Sequence, residues 1–311
     1  MKIYSTTLII CSLLALFSCN NATKKKDTVT NIETISIIHG LGTDEVPQDP
    51  DRLVVLNFAT LENLELINTN IVGIPKQAVP QYLSRFSEDD DIINVGSLVE
   101  VNLETINELQ PDLIISGTRL SDSYPAFSKI APTIYNNFDT KDPLGALKKD
   151  LDALGAIFKT EDVFDKAFAD LETKIKFVKT KIANSNETAL VVLHNKGRFS
   201  AYGSGSRFGL VHDILGVKEA APGLDTHLHG TRASSEFIQK INPDILFIVD
   251  RSAAIGDQPL NTSDIENELI QHTKAFKNKK IIYLNSEAWY LSGTGGITSM
   301  NIMVDEVASA F

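Results

Sequence analysis

The sequence predicts an α/β protein of two similar lobes joined by one long helix, with a ligand cleft between the lobes. Three observations carry this. Short apolar runs alternate with helical segments in both halves, one unit is built twice, and a single long amphipathic segment lies between the halves. The repeat sets Asn102 to Arg119 (Asn-Leu-Glu-Thr-Ile-Asn-Glu-Leu-Gln-Pro-Asp-Leu-Ile-Ile-Ser-Gly-Thr-Arg) against Ser234 to Arg251 (Ser-Ser-Glu-Phe-Ile-Gln-Lys-Ile-Asn-Pro-Asp-Ile-Leu-Phe-Ile-Val-Asp-Arg). Aligning Pro111 with Pro243 gives an offset of 132 residues (243 − 111), which also pairs Glu104 with Glu236, Ile106 with Ile238, Leu109 with Ile241, Asp112 with Asp244 and Arg119 with Arg251. Each copy is a short helix, a Pro-Asp break, a buried strand and an arginine. One pair of repeats is too few for a solenoid and fits two lobes that face each other.

In chain order, Met1-Lys2 supplies positive charge and Leu8 to Phe17 is almost wholly apolar. That run is too short for a membrane span and has the form of a signal-peptide core. Leu16-Phe17-Ser18-Cys19 matches the bacterial lipobox, so residues 1–18 are expected to be removed and Cys19 to be lipidated. Cys11 leaves with the signal peptide, and one remaining cysteine permits no disulfide within the chain. Residues 19–33 are polar, include Lys24-Lys25-Lys26, and serve as a tether of roughly 45 Å when fully extended.

The first lobe is expected over residues 34–159. Thr34 to His39 is a first strand, Arg52 to Asn57 a short buried strand, Leu61 to Ile67 a helix, and Asn70 to Ile74 a further strand. The connecting helix is assigned to residues 160–185. Phe164, Phe168, Leu171, Ile175, Val178 and Ile182 form one apolar stripe, with Glu161, Asp162 and Asp165 at its start and Lys174, Lys176, Lys179 and Lys181 toward its end. Both charge biases suit the helix dipole. The second lobe, residues 186–311, opens with the strand Ala189 to His194, followed by a helix over Phe208 to Leu215, and carries a late strand at Ile281 to Leu284. Strands alternating with helices predict parallel sheets.

With 311 residues, 43% hydrophobic and 22% charged, the chain has an ordinary globular composition with room for two lobes. A net charge of −11 leaves no basic excess for a nucleic-acid partner, although a few local arginines suffice for a small anion. Enzyme motifs fail: there is no Gly-x-Ser-x-Gly elbow and no phosphate-binding Gly-x-x-x-x-Gly-Lys-Ser/Thr loop. Gly203-Ser-Gly-Ser-Arg-Phe-Gly209 has one residue too many before its last glycine for a dinucleotide fingerprint, but it holds Arg207 in a tight turn before a helix. Ser292-Gly-Thr-Gly-Gly-Ile-Thr-Ser-Met300 is a second glycine-rich turn that opens a helix.

Arg119, Arg207 and Arg251 lie at ends of predicted strands or turns, where α/β folds bind ligands. The repeated position of Arg119 and Arg251 aims both at one cleft, and three guanidinium groups suit a planar, oxygen-rich anion. Glu104 and Glu236, at equal places on the duplicated helices, suit a partner with two matching basic sockets. His229 lies in a loop and Tyr290 follows a strand; no His/Cys/Asp spacing makes a zinc site, whereas a phenolate is a hard oxygen donor suited to Fe³⁺.

Several segments carry a resemblance: His-Gly-Thr-Arg-Ala-Ser-Ser-Glu-Phe, Val-Asp-Arg, Gly-Ser-Gly-Ser-Arg-Phe-Gly and Glu-Ala-Trp-Tyr-Leu-Ser-Gly. Together they make the chain resemble the siderophore-binding lipoproteins of ABC importers, which are class III periplasmic binding proteins, and in particular their catecholate, enterobactin-type branch. The resemblance covers essentially the whole mature chain. It implies an arginine triad of Arg119, Arg207 and Arg251, direct Fe³⁺ ligation by His229 and Tyr290, and docking on the permease through Glu104 and Glu236. It also implies a non-enzymatic, monomeric protein with no resident cofactor and a ferric siderophore as its transported ligand. The protein is then anchored by lipid at Cys19 to a bacterial cell membrane, facing the periplasm or the extracellular side. Thr231-Arg232 after the His-Gly pair departs from the branch and bears on ligand choice. His227 is a neighbouring histidine, and His229 is preferred because glycine follows it. The rival readings are a haem- or cobalamin-binding protein of the same class and a lipid-anchored metal-dependent enzyme; the arginine triad argues against cobalamin more than against haem.

Overall fold

Apolar runs too short to be helices form the centre of each half. The computed structural model describes residues 33–136, 139–258 and 260–311; the expected signal peptide, Cys19 and nearly all of the tether lie outside the described residues. The described chain enters as a hairpin, β1 (Thr34–His39) and β2 (Gly42–Pro47), paired antiparallel in a sheet of its own. His39 Nε2 lies 2.8 Å from Asp44 Oδ2, and the Tyr124 hydroxyl donates to the same carboxylate, fastening the hairpin to the first lobe.

The first lobe is built on β3 (Leu53–Val55), β4 (Ile71–Ile74), β5 (Ile93–Asn94), β6 (Leu113–Gly117) and β7 (Thr133–Asn136). They run in the order β5-β4-β3-β6-β7, and every pairing is parallel. All residues of β3, β4, β6 and β7 are buried, as a parallel sheet covered on both faces requires. The helix predicted over Leu61 to Ile67 runs from Phe58 to Leu64. Asn57 starts it early, because its Oδ1 accepts the Ala59 N–H at 2.9 Å and caps the first turn.

The second lobe holds β8 (Thr188–Asn195), β9 (Arg198–Tyr202), β10 (Lys218–Glu219), β11 (Thr231–Ala233), β12 (Ile245–Asp250) and β13 (Ile281–Tyr283), in the order β11-β9-β8-β12-β13 with β10 beside the start of β8. Here the expectation of parallel sheets needs correction. β8, β12 and β13 are parallel, but β9 is antiparallel to β8, and β11 to β9. The cause is the two-residue turn Lys196-Gly197, whose φ angles of 49° and 78° suit a tight hairpin that reverses the chain. The helix expected over Phe208 to Leu215 is a single π-helical turn, Leu210–Ile214.

The repeat proves to be a structural device as well. Asp112 accepts the backbone N–H groups of Asp51 and Arg52, each at 3.1 Å, and so pins the start of β3 beside β6. Asp244 does the same beside β12, accepting the Thr188 N–H and hydroxyl at 3.0 Å. Leu113 thereby lies opposite Leu53, and Ile245 opposite Ala189. Each Pro-Asp corner sets the register of a central strand pair, whose far end delivers Arg119 or Arg251.

The helix Glu161–Ile182 follows the helix Pro143–Phe158 and packs on it and on the last helix, Ile297–Ala308. Its 22 residues span about 33 Å. Phe164, Leu171, Ile175, Val178 and Ile182 are buried, with Phe168 half-buried against the same core. Full burial of each such side chain contributes about 1.5–3 kcal/mol, so the stripe holds the helix more firmly than its own propensity does. At its basic end Lys174 reaches Asp305 at 2.6 Å. Among the described residues no helix is long and apolar enough to cross a membrane.

The last helix is capped from the first lobe. Ile297–Ala308 has no capping side chain of its own. Instead Asn63 Oδ1 accepts the Ile297 N–H at 2.9 Å, and Glu62 Oε1 accepts the Ser299 N–H at 2.8 Å and its hydroxyl at 2.6 Å. A Cβ on Gly296 would stand 1.6 Å from Glu62 Oε1, so only glycine admits this carboxylate. Glu62 is 1% exposed, and burial pushes its carboxyl up to about 7 despite the hydrogen bonds from Ser299.

This predicts a pH dependence. Below the unfolded value of 4.5 the carboxyl is protonated in both states and costs nothing. Between 4.5 and about 7 the unfolded state ionises first, so stability is lost as pH rises and the loss is complete above about 7. Glu62→Gln removes the ionisation. Its stability relative to wild type should rise by up to about 3 kcal/mol between pH 4 and pH 8 in urea unfolding. A difference that does not change with pH would refute the assignment.

Candidate functional site

The cleft between the two sheets is organised around Tyr290, which lies beyond the end of β13 on a π-helical turn, Ala288–Ser292. Gly293 ends that turn with φ 63°, a conformation costly for any residue with a Cβ. Trp289 anchors the turn from behind. It is 1% exposed, donates its indole N–H to Glu306 Oε2 at 2.7 Å, and meets Phe208 edge to face at 6.0 Å. Tyr290 is left half-buried at the cleft floor.

Three guanidinium groups converge on this residue. Arg119, just past β6, donates from Nη2 to the Tyr290 carbonyl at 2.6 Å, and Arg207 donates to the same oxygen at 3.2 Å. Arg251 donates from Nε to the phenol oxygen at 2.9 Å. Their guanidinium carbons stand 5.1, 4.6 and 5.7 Å from the ring centre, within range of the attraction between a cation and an aromatic face. Each element has a local reason. Arg207 is held by the turn in which Ser206 donates to the Gly203 carbonyl at 2.6 Å and the Gly205 N–H to Asp213 at 2.7 Å. Arg251 opens a helical turn capped by Asp250, whose carboxylate accepts the Ser252 N–H at 3.0 Å and the Leu260 N–H at 2.7 Å.

The electrostatics follow from this crowding. Burial lowers the Arg207 pKa, and the charge of Arg119 lowers it further. For Tyr290, burial by itself would raise the phenol, but the hydrogen bond from Arg251 and the charges of all three arginines outweigh it and hold the phenol below its usual value. A guanidinium carries five N–H donors. In their side-chain bonds among the described residues Arg119 and Arg207 each spend one, and Arg251 two, counting a 3.5 Å contact to Asn195 Oδ1.

The cleft encloses about 630 Å³ and is walled by both lobes. His229 lines it from an exposed loop, together with Leu228, whereas His227 does not and lies 3.6 Å from Asp225. All five predicted ligand- or metal-contacting residues, Arg119, Arg207, Arg251, His229 and Tyr290, therefore line one cavity. Glu104 and Glu236 are elsewhere, exposed in the first turns of the helices Leu103–Glu108 and Ser235–Ile241, with Ile106 and Ile238 fully buried two residues later. Asn57, Asn195 and Ser200 add polar groups to the wall, and Leu98 and Leu228 add apolar ones, none of them singled out by motif. The two asparagines were detectable in principle, since Asn57 ends one predicted strand and Asn195 follows another. Among the described residues no group of three or more His, Cys, Asp or Glu side chains is placed to hold a metal ion.

A family model described as "Periplasmic binding protein" matches residues 53–288, and the chain belongs to that family. It is 39% identical to the petrobactin-binding protein YclQ of Bacillus subtilis over 99% of this chain and 98% of that protein. It is 35% identical to the ferric-anguibactin-binding protein FatB of Vibrio anguillarum over 97% and 96% of the two chains. The crystal structure of the periplasmic catecholate-siderophore binding protein VctP of Vibrio cholerae superposes with a TM-score of 0.83 at 30% identity, covering 89% of this chain and all (100%) of that one. The fold is the class III periplasmic binding protein fold: mixed α/β, with largely parallel sheets and one long connecting helix.

The depressed Tyr290 phenol gives a direct check. Arg251→Ala removes both a donor and a positive charge, so the phenol should titrate at higher pH. Ultraviolet difference titration against a Tyr290→Phe control isolates this one group. An unchanged titration would show that Arg251 has no hold on the phenol.

Proposed function

We propose that this protein captures ferric catecholate siderophores in the cleft and delivers them to an ABC permease for iron uptake, by binding and release without making or breaking covalent bonds. The observation that carries the reading is the convergence of Arg119, Arg207 and Arg251 on Tyr290. A ferric catecholate is an oxygen-rich anion built of planar rings, and guanidinium groups bind such oxygens through charge-assisted hydrogen bonds worth roughly 1.5–3 kcal/mol each. The names of the relatives, which bind petrobactin, ferric anguibactin and catecholate siderophores, point to the same ligand class. The residues expected from the sequence take these roles: the three arginines grip the ligand, and His229 and Tyr290 complete the coordination of its iron. A phenolate is a hard donor, and a phenol already held below its usual pKa loses its proton to Fe³⁺ at small cost. Cobalamin would leave the three arginines without an anionic partner of matching charge.

Fe³⁺ prefers six hard donors and a bis-catecholate supplies four, leaving two positions for Tyr290 and His229. Tyr290→Phe and His229→Ala should each weaken a tetradentate ferric bis-catecholate by roughly tenfold and shift its charge-transfer band. A hexadentate tris-catecholate has no open position and should lose much less. Quenching of Trp289, the only tryptophan, reports binding. Equal losses for both ligands with no spectral change would mean that these residues shape the pocket and do not touch iron.

For delivery, Glu104 and Glu236 dock on the permease, and Cys19 carries a lipid that holds the protein at the bacterial membrane as a monomer. Residues 1–18 are the signal peptide, 19–33 the tether, 34–159 and 186–311 the lobes, and 160–185 the connecting segment. In cells, Glu104→Lys with Glu236→Lys should cut siderophore uptake while purified protein keeps its affinity, and Cys19→Ser should lose palmitate label. Normal uptake by the double variant, or label that persists in Cys19→Ser, would count against the corresponding assignment.

A further inference from the structure

A second depression of about 640 Å³ adjoins the cleft on the second lobe, and Arg198 lines both. The antiparallel strands β9 and β11 explain the continuity. Arg198 and Ser200 alternate onto one face of β9, and the register sets Arg232 directly opposite Ser200. Arg198 and Arg232 are therefore diagonal neighbours on one sheet face, about 7–8 Å apart at Cα. Two like charges at that spacing repel, and a chain with 40 acidic and 29 basic residues has carboxylates to spare. Yet among the described residues neither arginine has an ion pair or a side-chain hydrogen bond. Glu236 lines the same depression but does not reach either arginine within 4.0 Å; its carboxylate is held by Ser234 and drawn below its usual value. Ser234, Ser235 and Asn267 complete the groove with neutral polar groups. The two exposed arginines have no counter-charge among the described residues, and a ligand in the cleft that extends past Ser200 reaches them along the same strand face.

We propose that Arg198 and Arg232 form a second anion subsite, which takes a carboxylate carried on the part of the siderophore that lies outside the iron-bound catecholates. The subsite rests on the ferric-siderophore reading above and sharpens it: the ligand favoured is an acidic, extended bis-catecholate rather than a compact neutral one. Arg232 is the residue by which the His-Gly loop departs from the catecholate branch, and the subsite gives that departure a physical role.

The test uses two synthetic ferric bis-catecholates that share one linker and differ only in bearing a carboxylate or a carboxamide on it. Trp289 quenching by the full-length protein gives both affinities. Wild type should favour the carboxylate by about tenfold or more, and in the Arg198→Gln/Arg232→Gln protein the ratio of the two affinities should fall to about one. Circular dichroism confirms that the variant is folded, and Arg232→Gln alone, which changes a residue outside the cleft wall, should give an intermediate ratio. Wild type binding both probes equally, or the double variant keeping the full preference, overturns the subsite and leaves the catecholate reading standing. Failure of wild type to bind either probe overturns both.

Discussion

One backbone carbonyl joins an arginine of each lobe at the cleft floor. The Tyr290 oxygen accepts from Arg119 of the first lobe and Arg207 of the second, and the Tyr290 phenol accepts from Arg251. Three cations gathered around one ring repel one another, so the arrangement survives only because each arginine is fixed by its own strand end or turn. The surrounding fold can be understood as what keeps these groups from separating. Trp289, buried and hydrogen-bonded to Glu306, stops the Tyr290 turn from yielding. The cap supplied by Glu62 and Asn63 holds the start of the last helix against the first lobe, a few residues beyond the same turn.

The tension also creates chemistry. A phenol in water is a poor anion near neutrality. Here burial would make it poorer still, but the hydrogen bond from Arg251 and the surrounding positive charge reverse the balance and favour the phenolate. The same guanidinium groups keep most of their donors free of side-chain partners among the described residues, so an anionic ligand can bind without first stripping them of strong bonds. Binding by charge-assisted hydrogen bonds to preplaced donors loses little to reorganisation, which suits a protein that must also release its cargo.

Glu62 shows the cost of building a tie across two lobes. A carboxylate is the right shape to cap a helix whose own cap is glycine, but burying it lifts its pKa to about 7. Among the described residues its second oxygen has no hydrogen-bond partner, although the hydroxyls of Tyr82 and Ser292 lie beside it. Tyr82 in turn is raised by burial and then by the charge of Glu62. Local stability is thus given up for a fixed geometry between the lobes, since a neutral apolar contact at that point would pack but would not orient the helix.

The sequence by itself determined the parts that depend on local pattern. The stripe of the helix Glu161–Ile182, the short buried strands and the two Pro-Asp units were legible because burial on one face leaves a period, and because the same solution was used twice. The arginines were legible for the same reason, through the shared offset of Arg119 and Arg251. Only the tertiary structure decided that Arg207 meets them at one tyrosine and that His229 and Tyr290 line one cavity. It alone also shows Glu62 and Asn63 capping a helix more than 230 residues away. Contacts between distant segments leave no periodic trace in a single sequence, since each partner only has to suit its own local turn. The antiparallel β9 lies between these cases: the Lys196-Gly197 turn that causes it is local, but its consequence, a sheet face that joins the cleft to Arg232, exists only once β11 has paired with it.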